Sequence, residues 1–198
     1  MVVKKLLIAG DSFAAEWPGE QGWVKTLKEY FDVTNVAQAG CSEYKILKQI
    51  QNADLDKFDV VIISHTNPLR VHTRNHPLHK KGLHENCDLI IHDIIDRNSF
   101  FNPKLKSAQG YFRDHFDEQY YYDVYNLLRK EIKNIIGSKP YLSMSHLEVC
   151  KYFIHEDNHL EFSEFWKAHK GKENHYNSIG NKKLFKIVLD NLQKLAIL

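Results

Sequence analysis

The chain has 198 residues, 43% of them hydrophobic and 26% charged, a globular composition that excludes a disordered or fibrous polymer. Its 27 basic and 25 acidic side chains leave a formal charge of +2, so no electrostatic reason exists to expect nucleic acid or a membrane surface as partner. Cys41, Cys87 and Cys150 are odd in number and widely spaced, which argues against a disulfide framework and for a reducing compartment, hence the cytoplasm.

Lys4 and Lys5 before an apolar run imitate a secretory signal, but the run stops at Gly10-Asp11 and is too short for one. No window approaches the roughly 18 apolar residues of a membrane span. At roughly 100–200 residues per domain, one domain over residues 1–198 is expected.

Val2–Ala9 is a short apolar run ending in Gly10-Asp11-Ser12, the pattern of a buried strand entering a loop. Trp23–Phe31 places Trp23, Val24, Leu27, Tyr30 and Phe31 at helical spacing. Val33–Ala37 is a second strand. Ser42–Ala53 is a helix with Tyr44, Leu47 and Ile50 on one face and Ser42 at its N-cap. The β-branched run Phe58–Ile63 is the clearest strand. Near-continuous apolar strands alternating with amphipathic helices point to a parallel sheet covered on both faces.

Beyond Asn67 the periodicity loosens, and residues 68–116 read as a lid-like insertion with a short helix near Cys87–Asp96. Asp117–Ile136 is a long helix striped by Tyr121, Val124, Leu128, Ile132 and Ile135, with Gly137 as its stop. Lys139–Met144 reads as the next strand, and Tyr152-Phe153-Ile154 is strand-like. Ser178–Leu195 is a closing helix with Leu184, Ile187, Val188, Asn191 and Leu195 inward.

Four short blocks carry chemistry. They are Gly10-Asp11-Ser12 after the first strand, Asn35–Ser42 after the second, Ser64-His65-Thr66-Asn67 after the third, and Glu173–Gly180 before the last helix. The carboxyl ends of parallel strands share one edge, where ligands bind, so Ser12, Gly40 and Asn67 are expected to converge there. A serine needs a base within hydrogen-bond reach to act as a nucleophile, and His175 can be that base. The backbone N–H groups of Ser12 and Gly40 and the Asn67 amide can hold an oxyanion, and glycine at 40 lets backbone approach a substrate closely. Asp11 can support the Ser12 loop. Arg70, three residues past Asn67, can meet an anionic or sugar substrate.

The order Gly-Asp-Ser, Gly, Asn and His-Tyr-Asn-Ser-Ile-Gly before an amphipathic helix resembles the SGNH/GDSL hydrolase superfamily. The resemblance implies a three-layer α/β/α sandwich around a mostly parallel, five-stranded, flavodoxin-like sheet. It implies hydrolysis of a small acyl ester, often a carbohydrate O-acetyl, through an acyl-enzyme, with no metal or organic cofactor. Carried over, Ser12 is the nucleophile, Gly40 and Asn67 are oxyanion donors and His175 is the base. His65 stands where the family has glycine, Pro68 where it has an acid, and Lys172 where its triad acid usually falls; the nearest carboxylate is Glu173, two residues before His175, a spacing that some branches of the superfamily use for that role.

Two rival readings come from the same residues. A degenerate relative that binds a glycan or a partner protein would keep the fold without the chemistry. His155-Glu156-Asp157-Asn158-His159 matches H-E-x-x-H, a zinc-hydrolase pattern that requires a helix to aim both imidazoles at one metal. His72, His76, His79 and His84 have near-helical spacing interrupted by Pro77, so a substrate-lining or solvated loop is expected there. Cys41 reads as a small hydrophobe.

Overall fold

In the computed structural model, residues 3–17, 22–153, 158–171 and 175–195 are described. The apolar runs pair into one sheet of five strands: β1 (Lys5–Gly10), β2 (Asp32–Asn35), β3 (Val60–His65), β4 (Tyr141–Ser145) and β5 (His159–Glu161). Their order is β2-β1-β3-β4-β5 and every pairing is parallel. Successive side chains of a strand leave on opposite faces, so continuous apolar strands make two cores. Leu6, Ile8, Val60, Ile62, Leu142 and Met144 pack against Trp23, Val24 and Leu27 of α1 (Trp23–Leu27) and Leu184, Val188 and Leu192 of α7 (Ser178–Lys194). On the other face, Leu7, Ala9, Val61 and Ile63 meet Ile46, Leu47 and Ile50 of α2 (Glu43–Asn52) and Ile132 and Ile136 of α5 (Glu118–Ile136). The result is the expected α/β/α layering, with an all-parallel sheet.

This order puts the topological switch between β1 and β3. From β1 the chain crosses outward to β2 on one side. From β3 it continues to β4 and β5 on the other. The loops after β1 and β3 therefore flank a crevice at the carboxyl edge, where such sheets bind ligands. Gly10, at the end of β1, pairs with Ser64 so closely that a Cβ at position 10 would lie 2.6 Å from Ser64 Cβ. That approach brings the Ser12 loop and the Asn67 loop together.

Several sequence expectations are corrected. The segment 68–116 carries more regular structure than the one short helix expected near Cys87–Asp96. It holds α3 (Ile91–Ile94) and the twelve-residue α4 (Pro103–Asp114), which close a satellite core of Leu89, Ile94, Leu105, Ala108 and Phe112. The start of α4 carries its own signal: Asn102 accepts a hydrogen bond from Leu105 N–H, and Pro103 follows at the first helical position. The buried stripe of α5 is Tyr125, Arg129, Ile132 and Ile136, rotated from the expected one because Arg129 turns inward beside Glu43. The fifth strand is His159–Glu161, and Glu148–Tyr152 is a 3₁₀ turn. Helix α6 (Ser163–Ala168) was hidden in the segment after it. Ser42 occupies the N-cap position of α2 without a side-chain cap; its N–H donates to Asp88 Oδ2 at 2.7 Å instead. Asn177 caps α7 by accepting from Gly180 N–H.

Candidate active site

The Ser12 loop is built by Asp11. Its carbonyl accepts N–H bonds from Ala14 and Ala15, and its carboxylate accepts from Phe13 N–H at 3.0 Å. The chain therefore wraps into a single turn directly after β1, with half-buried Ser12 at its crest. Gly40 adopts φ +68, and a Cβ there would fall 2.6 Å from Cys87 Cβ, so only glycine fits. Its carbonyl is held by Asp88 N–H and by Arg70 Nη1 at 3.3 Å. Asn67 spends its side-chain oxygen on Leu69 N–H at 2.9 Å, an Asx turn that leaves the amide nitrogen as its remaining polar group.

Ser12, Gly40, Asn67, Arg70, Asp11 and His175 all line one cavity of about 540 Å³ at the carboxyl edge of the sheet. The convergence expected from the sequence is thus present. Among the described residues, the N–H groups of Ser12 and Gly40 and the Asn67 amide nitrogen meet no acceptor. Three unspent donors beside a hydroxyl and an imidazole are what a tetrahedral oxyanion requires. Glu173 lies outside the described residues.

Asp11 is 2% exposed. Burial pushes its carboxyl up to about 6, against the opposing pull of the Phe13 N–H, the Arg70 charge and the Ser64 hydroxyl. A buried chain runs from it. Ser64 Oγ lies 3.3 Å from Asp11 Oδ1, His146 Nε2 lies 3.2 Å from Ser64 Oγ, and Tyr176 Oη lies 2.7 Å from His146 Nδ1. An ionised carboxylate only accepts. Ser64 therefore donates to Asp11, His146 Nε2–H donates to Ser64, and Tyr176 O–H donates to His146 Nδ1. Burial, with the nearby charge of His65, lowers His146 to about 3, which keeps it the neutral link this direction needs. His146 is stacked between Phe13 at 4.4 Å and Phe162 at 5.6 Å. Phe13 in turn meets the His175 ring edge-on at 5.9 Å.

Trp17 ties the two central residues together. Its indole N–H donates to the Ser12 carbonyl at 3.0 Å, and its ring lies 4.1 Å from the His175 ring. Phe13, Trp17, Ser64, His146 and Tyr176 were not among the residues expected at the site. Of these, Ser64 and Tyr176 lie inside the third and fourth blocks and had a sequence signal; Phe13, Trp17 and His146 are ordinary core types or distant in sequence.

His65, in the third block, is not among the residues lining the cavity. Its Nδ1 meets Glu43 Oε1 at 2.7 Å and its Nε2 meets Ser143 Oγ at 3.0 Å. Burial raises the Glu43 carboxyl to about 8, against the pull of Arg129. The glutamate of α2 and the histidine of β3 are a buried pair between helix and sheet, bracing the loop that carries Asn67 through the contact of Glu43 with Thr66 N–H at 3.4 Å.

The zinc reading fails on geometry at the one ligand described. His159 lies on strand β5, and its two ring nitrogens meet Ser143 Oγ at 2.8 Å and Ser145 Oγ at 3.0 Å. His155 and Glu156 lie outside the described residues. A second metal-like group consists of His76, His79 and Cys87, whose ligand atoms lie within 4.8 Å of one another. His76 Nδ1, however, accepts N–H bonds from Leu78 at 3.2 Å and His79 at 3.1 Å. The neutral ring therefore carries its proton on Nε2, and burial lowers its pKa to about 4. A protonated Nε2 is a donor, not a ligand, so the group does not fit a metal. His79 and His84 line the 540 Å³ cavity, with Arg70, Arg97, His92 and Asp93, as a substrate-lining loop would. His72 instead meets Asp88 at 3.2 Å. Cys41 is buried and its thiol donates to the Gly10 carbonyl at 3.3 Å, the behaviour of a small core residue.

The sequence matches no protein-family model and no curated protein. Among solved structures it is similar to a Bacteroides fragilis protein described as a putative acylhydrolase, at 16% identity and a TM-score of 0.39, over 97% of this chain and 88% of that one. No helix among the described residues is long and apolar enough to cross a membrane.

Proposed function

We propose that the protein is a serine esterase of the SGNH type. The observation that carries this reading is the set of unspent donors from Ser12, Gly40 and Asn67, lining one cavity with the Ser12 hydroxyl and the His175 imidazole. In the proposed reaction, His175 takes the Ser12 proton as Oγ attacks the ester carbonyl. The negative charge that develops on the carbonyl oxygen is met by the three donors. The C–O bond to the alcohol then breaks, and His175 returns its proton to the leaving oxygen. Water, deprotonated by His175, attacks the acyl-enzyme in the same geometry and frees Ser12. Glu173 is assigned the role of orienting His175. The mixed donors and acceptors of the 540 Å³ cavity, Arg70, Arg97, His79, His84 and Asp93, suit a polar alcohol such as a sugar.

The test is Ser12→Ala. Turnover of 4-nitrophenyl acetate is expected to vanish while the melting temperature stays close to wild type, since a hydroxyl at a loop crest changes stability by under about 0.5 kcal/mol. Equal turnover in the variant would remove Ser12 from the mechanism.

A further inference from the structure

Cys87 stands among donors that have no acceptor. A Cβ on Gly40 would lie 2.6 Å from Cys87 Cβ and 3.7 Å from Arg70 Nη1, so the guanidinium and Cys87 share the Gly40 corner of the 540 Å³ cavity. Arg70 Nη1 donates to the Gly40 carbonyl at 3.3 Å. Arg70 Nε is buried without a partner, and among the described residues no ion pair involves Arg70. Asp11 lines the same cavity, but its carboxylate is directed at the Phe13 N–H and the Ser64 hydroxyl. Arg97 and Asp93, also on the wall, offset one another in formal charge. His76 is 3% exposed, and ring nitrogens of His76 and His79 lie within 4.8 Å of each other and of Cys87 Sγ. Because His76 Nδ1 accepts two backbone N–H bonds, the neutral ring carries its proton on Nε2, and that buried N–H meets no acceptor. A guanidinium and an imidazole N–H can only donate, and a buried donor left unpaired is costly. The group that presents hydrogens where a metal needs lone pairs presents them equally to an anion.

Resting on the esterase reading, we propose that this corner binds an anionic oxygen group, a carboxylate or a phosphate, carried by the alcohol part of the substrate, with Arg70 as its charged partner and His76 Nε2–H and His79 beside it. Both groups are acceptor-only and match the planar fork of an arginine. The substrate is thereby an ester of a sugar acid or a sugar phosphate, not of a neutral sugar. Gly40 fixes where the charge sits. Its carbonyl holds Arg70 and its N–H is assigned to the oxyanion, so the ester and the charge are one glycine apart. The anionic group therefore belongs to the sugar that carries the ester or to its immediate neighbour.

Titration calorimetry of Ser12→Ala with glucuronate, glucose 6-phosphate and glucose tests the charge without turnover, since the three share a ring and differ in the group at one end. At least one of the two anions is expected to bind at least about tenfold tighter than glucose, the worth of one hydrogen bond to a charged group; the tighter of the two tells carboxylate from phosphate. Arg70→Met in the same background keeps the aliphatic stem and removes the charge, and the preference over glucose is expected to fall to within about twofold, with folding checked by melting temperature. His76→Asn is the milder variant. The asparagine oxygen can accept the same two backbone N–H groups in an Asx turn while the Nε2–H is lost, and anion binding is expected to weaken about fivefold with glucose binding unaltered. No preference for either anion over glucose, beside Ser12-dependent hydrolysis of 4-nitrophenyl acetate, would overturn the anion site and keep the esterase. An anion preference that Arg70→Met abolishes, without Ser12-dependent hydrolysis of any ester, would keep the anion site and overturn the esterase. An anion preference unchanged in folded Arg70→Met, or in His76→Asn where Arg70→Met does not fold, would overturn the assignment to this corner.

Discussion

His146 is fully buried, held between Phe13 and Phe162 and hydrogen-bonded at both nitrogens. Its folded pKa of about 3 lies below the value of about 6.5 expected for an unfolded chain. Between those values the unfolded chain binds a proton that the native ring refuses, so stability falls as pH drops through 6.5. At pH 5 the contribution is about 1.4 kcal/mol for each of the 1.5 pH units below 6.5, or about 2 kcal/mol, against almost nothing at pH 7. The figure is governed by the unfolded value, because the folded one lies well below pH 5. His146→Gln removes the titration while keeping an acceptor for Tyr176 and a donor for Ser64. Urea unfolding of both proteins at pH 7 and pH 5 gives four stabilities. Lost packing in the variant enters at both pH values and cancels in the double difference, as do the other titrating groups. Wild type is expected to lose about 2 kcal/mol more than His146→Gln on acidification, a large share of a typical total of about 5–15 kcal/mol. Parallel losses in the two proteins would mean that native His146 carries a charge, and the direction assigned from Tyr176 to Asp11 would be wrong.

Other perturbations test the site. Asn67→Ala is expected to lower kcat about 10²–10³-fold with a smaller change in KM, because the lost donor acts on charge present only near the transition state; unaltered kcat would make Asn67 a turn residue. Gly40→Ala places a methyl 2.6 Å from Cys87 Cβ at φ +68. Left-handed backbone alone costs about 1–2 kcal/mol, so a lowered urea midpoint is expected, together with loss of turnover; wild-type stability would refute the close approach. Glu173→Gln is expected to lower kcat strongly through the orientation and charge of His175. A change of less than about twofold beside a severe His175→Ala would leave a serine–histidine dyad or a carboxylate from elsewhere.

The sheet and its two helical layers were legible because burial on both faces leaves a one-dimensional signature. Strands with apolar residues at every position, such as Val60–Ile63, have nowhere to lie except between helices. The inward stripe of α5 was misread for the complementary reason. Its apolar residues outnumber one face, and a buried Arg129 is decided by Glu43, far away in sequence. Helix α4 was missed although Asn102-Pro103 announces it, because neighbouring prolines and histidines weakened the periodic pattern around it.

Within the site, sequence alone marked the positions that line one cavity: Ser12 after β1, Gly40 after β2, Asn67 after β3 and His175 ahead of α7. Parallel strand order brings such positions to one edge whatever their spacing. Tertiary structure alone decided the surroundings. Nothing local to Ser64, His146 and Tyr176 marks them as one chain leading to Asp11, since hydrogen bonds between distant segments leave no periodicity. The indole N–H groups of Trp17 and Trp23 likewise find their acceptors, the Ser12 and Phe13 carbonyls, only once the elements have packed.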